Sequence, residues 1–198
     1  MEQMTKTIQG VINMAWPMVL ISVVIVVSLR ITYLVKNRKK FVLYKELLML
    51  SFIIYILCLF QIVTFQDDVS WSTNNFIPFK EMFRYSFGSR LFIKNVVGNI
   101  TLFLPFGLFT SYYLDIKKPY LIVLLTLIAS ISIESVQMVI GRVFDIDDII
   151  LNLLGGLSGY GFYYILSQVG NSLPSIFKAE WFLNLLSIVL LIGCLTLI

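Results

Sequence analysis

Histidine is absent from the 198 residues, and charged side chains make up only 13% of them. The first absence excludes imidazole acid–base chemistry and removes a usual zinc ligand. The second excludes an ordinary soluble domain, in which about 25% of residues are charged. Cysteine is limited to Cys58 and Cys194, each inside an apolar run, where a thiol acts as a small buried hydrophobe. What remains is apolar: 59% of residues are hydrophobic, 15% are aromatic, and the mean hydropathy is +0.91. These values predict an all-α fold, a polytopic membrane bundle in which one domain accounts for residues 1–198. The first apolar run is too long for a cleavable signal, so none is expected.

Six transmembrane helices are expected. Their approximate bounds are Gly10 to Val35, Val42 to Phe65, Phe92 to Leu114, Pro119 to Ile140, Asp147 or Asp148 to Gln168, and Trp181 to Ile198. Either Asp147 or Asp148 is expected to cap the fifth. Arg30, near the basic end of the first helix, is expected to snorkel to the surface. Lys36, Arg38, Lys39, Lys40 and Lys45 form the densest cationic block, which the positive-inside rule makes cytoplasmic. Both termini then lie outside. The segment between the second and third helices is too charged to span and reads as an extracytoplasmic interfacial cap. It begins with Asp67 and Asp68, and Trp71, Phe76, Phe79, Phe83 and Tyr85 would sit at headgroup level.

Polar groups recur at one depth. Asn95 and Asn99 share a helix face at i, i+4; Glu134 and Gln137 share one at i, i+3; Asp148 and Asn152 repeat the i, i+4 spacing. A rise of about 1.5 Å per residue puts Glu134 roughly 22 Å from Pro119, in the outer half of the bilayer. Ionisable groups at such depth are costly and face a bundle interior. Arg142, or an arginine of the cap such as Arg84, is the natural counter-ion. Arg142 with Asp145, Asp147 and Asp148 also reads as a solvated loop tied by ion pairs. A divalent metal on the three aspartates is not expected, because they cannot all point one way from a short turn. Gly155 and Gly159 read as packing glycines or as backbone open to a ligand. Pro105 should kink the third helix, with or without a cavity beside it.

These residues resemble a known family. Asn75-Phe76-Ile77-Pro78-Phe79, Asn95-x3-Asn99, Leu104-Pro105-Phe106-Gly107, Ile133-Glu134-x2-Gln137, Gly141-Arg142, Phe144-Asp145-Ile146-Asp147-Asp148 and Asn152-x2-Gly155-Gly156 look like the VanZ-like family. The resemblance covers about residues 75–164. It implies a multi-pass protein of the cell membrane, and its founding member is associated with resistance to the glycopeptide teicoplanin. The reaction, if any, is not implied.

Three functions fit. An enzyme could act at the outer face on a lipid-linked cell-wall precursor. Glu134 and Asp148 would be its catalytic carboxylates, and Arg84, Asn95, Asn99, Gln137, Arg142 and Asn152 would hold the substrate. A binder or transporter could hold a lipid, peptide stem or glycopeptide without chemistry. A structural network could satisfy itself and fix only the helix packing. Membrane lipids are expected partners; no cofactor and no nucleic acid is expected.

Overall fold

The computed structural model describes the backbone over residues 2–65, 74–170 and 174–195, and side chains over 17, 20–60, 74–170 and 174–195. Asp67, Asp68 and Trp71, expected in the cap, lie outside the described residues. Hydrophobic runs become six long helices: α1 (Glu2–Lys36), α2 (Leu43–Phe65), α3 (Arg90–Leu114), α4 (Pro119–Val139), α5 (Ile146–Val169) and α6 (Glu180–Leu195). Within α3 the residues Ile93–Val97 form a π turn. Windows in α2, α3, α4 and α5 are long and apolar enough to cross a membrane, while α6 is apolar but only 16 residues long. The chain is an all-α membrane protein. Its helices divide into two compact units, one built on α1, α2 and α6 and the other on α3, α4 and α5.

In the first unit, α1 ends on a left-handed Arg38 (φ 49°), and the N–H of Lys39 returns to the Leu34 carbonyl at 3.0 Å. Arg30 does not simply rise to the surface. Its guanidinium forks onto Glu46 of α2, at 2.8 and 3.1 Å. That bidentate geometry costs less rotamer entropy than a loose lysine pair. Ser51 and Cys58 of α2 and Ser187 of α6 are buried, small residues on helices that pack together.

In the second unit, α3 and α5 approach so closely that glycine is required. A Cβ on Gly107 would overlap the Gly156 carbonyl oxygen, and one on Gly159 would overlap the Leu104 carbonyl oxygen. Gly155 lies against the Ile100 carbonyl in the same way, and Gly156 against the Thr126 side chain of α4. The Gly155-x3-Gly159 spacing is therefore a helix-packing seam. Pro119 opens α4 at its first turn, where the missing N–H costs nothing. α3 closes on Asp115 in the left-handed region (φ 47°).

The cap of α5 is a correction. Asp145, with extended φ −130° and ψ 116°, is the N-cap, and its carboxylate accepts the Asp147 N–H at 2.9 Å. Asp147 and Asp148 instead occupy the first helical turn, so their side chains are free to reach other elements.

Candidate functional site at one end of the α3–α4–α5 unit

α4 ends at Val139, and Gly141 in the left-handed region (φ 84°) reverses the chain toward α5. The Arg142 N–H returns to the Gln137 carbonyl at 2.9 Å, which secures this turn. The backbone then runs extended through Phe144 to Asp145 and meets a second extended stretch at Asn75. Asn75 donates its N–H to the Phe144 carbonyl at 2.8 Å and accepts the Ile146 N–H at 3.1 Å, an isolated parallel bridge. Its side-chain amide donates to Asp145 at 2.8 Å, and its oxygen accepts the Ile77 N–H at 3.2 Å. Phe76 stacks on Phe144 at 5.3 Å between ring centroids.

Residues 74–89, a strap across this end, are held chiefly by Asp147. One carboxylate oxygen accepts the N–H of Phe79, and the other those of Glu81 and Met82 at 2.8 and 3.0 Å. Three backbone donors gathered on one carboxylate satisfy a turn that has no helix or sheet to satisfy it. Phe79 carries a positive φ of 67°. For a bulky residue that conformation persists only where the surroundings over-determine it, and here the Asp147 bonds do so.

Glu134, 1% exposed on α4, accepts the Asp145 N–H at 3.0 Å. Burial holds the Asp145 carboxyl above its ordinary range. The Asp147 N–H and the Asn75 amide oppose that shift, while the charges of Asp147 and Glu81 add to it. Asp148 accepts the side-chain amide of Asn99 on α3. The charge of Arg142, a half-buried residue, reaches both Glu134 and Asp148. Two carboxylates and one guanidinium thus lie within mutual electrostatic reach, with Gln137 buried on the Glu134 face. Such a group can donate or accept a proton and can fork onto a phosphate.

The other expected site residues are placed differently. Asn152 is buried a turn deeper on α5 and donates to Ser130 of α4 at 2.9 Å. Asn95 lies half-buried in the π turn of α3, and its side chain makes no hydrogen bond to another described residue. Arg84 does not enter the site. It is exposed in a short helical turn, Met82–Arg84, and pairs with Glu81 at 3.0 Å, because the Asp147 bonds turn the backbone of this segment inward and leave its longer side chains outside.

The three aspartates diverge: Asp145 faces Asn75, Asp147 the strap, and Asp148 Asn99. Among the described residues no group of three or more such ligands could hold a metal ion. Helical-face spacing does not point to Asn75, Ser130, Asp145 or Asp147. Asn75 was signalled only by its motif. Asp147 could have been found by asking which acceptor serves the amides that follow Pro78.

A family model described as VanZ/LLP1 matches residues 52–167, more than half of the chain. That span takes in the strap, α3, α4 and most of α5, with every residue of the site. No curated protein and no solved structure matches the chain.

Proposed function

Because this chain belongs to the VanZ/LLP1 family, we propose that it is a multi-pass protein of the cell membrane that binds a lipid-linked cell-wall precursor at the outer face. Through that binding it would contribute to resistance against glycopeptides of the teicoplanin type. The observation that carries the reading is the convergence of Glu134, Asp148 and Arg142 at one end of α3, α4 and α5. A phosphate or pyrophosphate group would meet the Arg142 fork. Glu134 and Asp148 would act as the acid–base pair, with Asn99 orienting Asp148 and Gln137 lining the same face.

A second reading has its own observation. Asn99 pairs with Asp148, Asn152 pairs with Ser130, and Asp147 pairs with the strap, so much of the network is satisfied from within. A purely structural role would need no ligand.

Glycopeptide susceptibility of cells carrying Glu134→Gln or Glu134→Ala separates the two. The glutamine keeps size and hydrogen bonding but cannot exchange a proton. Loss of protection in both variants, with the protein inserted and folded, supports chemistry at Glu134. Protection retained in Glu134→Gln and lost with folding in Glu134→Ala supports the structural network.

A further inference from the structure

The strap spends its backbone inward and its side chains outward. Its amides at Phe79, Glu81 and Met82 are consumed by Asp147, while Phe76 and Ile77 stand more than 60% exposed, Phe83 80% and Phe87 91%. Exposed cations alternate with these rings: Lys80, Arg84 and, where α3 begins, Arg90. Glu81 is the one acidic residue in residues 74–90 and is already paired to Arg84, so these four side chains carry three positive charges and one negative, a net +2. The carboxylates of Asp145 and Asp147 beneath are engaged by Asn75 and by the strap backbone.

Position gives this surface its surroundings. The strap is tied to Asp145 and Asp147 where α5 begins, and it leads into the start of α3. Both helices are long and apolar enough to cross a membrane, and a crossing pair brings their shared end to one headgroup layer. Aromatic rings favour that layer, and cations in it are attracted to anionic lipid. We propose that the strap is a docking surface for the headgroups of anionic phospholipids, with Phe83 and Phe87 in the acyl boundary and Lys80, Arg84 and Arg90 on the phosphates. Asp147 is its positioning residue, because it holds the backbone turn that sends these side chains outward. A zwitterionic lipid satisfies the rings equally and the net charge less, so the surface discriminates by charge. None of this draws on Glu134, Asp148 or Arg142.

The test uses the full chain in bilayers of phosphatidylcholine with spin-labelled phosphatidylglycerol or spin-labelled phosphatidylcholine, and reads the relative association of each label with the protein. The expected result is a preference for phosphatidylglycerol of about fivefold or more, which falls with added salt. It should collapse in the K80Q/R84Q/R90Q variant, and also in Asp147→Ala, which keeps every cation but frees the turn. Equal association of the two labels, a preference indifferent to salt, or one that survives the triple substitution overturns the proposal. Should the triple variant fail to fold, the salt titration of the native chain decides alone.

Discussion

Asn75 donates its side-chain amide to the Asp145 carboxylate at 2.8 Å, across 70 positions of sequence. Asp145 in turn gives its backbone N–H to Glu134, so the strap, the cap of α5 and the buried acid of α4 form one chain of bonds. Disturbing the strap should therefore be felt at the site.

Asp147→Ala leaves the amides of Phe79, Glu81 and Met82 without their acceptor. Each buried amide left unpaired costs roughly 1–3 kcal/mol, softened where water can reach it. Hydrogen exchange at residues 79–82 should accelerate strongly in Asp147→Ala and less in Asp147→Asn, which retains one acceptor oxygen. Unchanged exchange in both variants would show that the strap is held by something else.

The raised Asp145 carboxyl makes stability depend on pH with a definite sign. In the folded protein this group keeps its proton to higher pH than in the unfolded chain. Its contribution is therefore full below the ordinary aspartate range and is lost as pH rises toward the raised folded value. Asp145→Asn preserves an N-cap and an acceptor for Asn75 but does not titrate. Thermal unfolding in detergent should fall across that window in the native chain and fall less steeply in Asp145→Asn.

The run of aspartates shows what the sequence could and could not disclose. Hydrophobic runs located six long helices among the described residues, four of them long and apolar enough to cross a membrane, because burial in lipid leaves few alternatives for apolar stretches. Burial was legible too: Glu134, Gln137 and Asn152 all face the interior of the unit. Side-chain direction was not. Asp145, Asp147 and Asp148 compete for one cap, and the winner is decided by the extended backbone that pairs with Asn75, a contact that no local pattern encodes. The charge of Arg84 and its place in the cap suggest the site, whereas its outward course follows from backbone bonds to Asp147. The π turn at Ile93–Val97 leaves no mark in composition.

Glycine substitutions should separate contact from propensity. Gly107→Ala and Gly159→Ala drive a methyl into backbone atoms of the neighbouring helix. Each should destabilise by about 1–3 kcal/mol or prevent assembly, since overpacking against backbone finds little room to relax. Gly161→Ala meets open space and should be neutral or stabilise by up to about 1 kcal/mol through helix propensity. Thermal unfolding of the three variants checks the contrast.

In the other unit, Arg30→Glu should weaken the pairing of α1 with α2 by on the order of 1 kcal/mol, because it sets two acids together. Glu46→Arg should do the same, and the double exchange should recover most of the loss. A double variant no better than the singles would show that the fork contributes little.

The most direct test of the proposed site is binding of a polyprenyl-pyrophosphate-linked precursor to the purified protein, followed by native mass spectrometry. Native protein should retain the precursor, and Arg142→Gln should weaken it by on the order of tenfold or more, the equivalent of losing one charge-assisted fork. Glu134→Gln should still bind. Retention of the precursor undiminished in Arg142→Gln, or no retention by the native protein, would contradict the account.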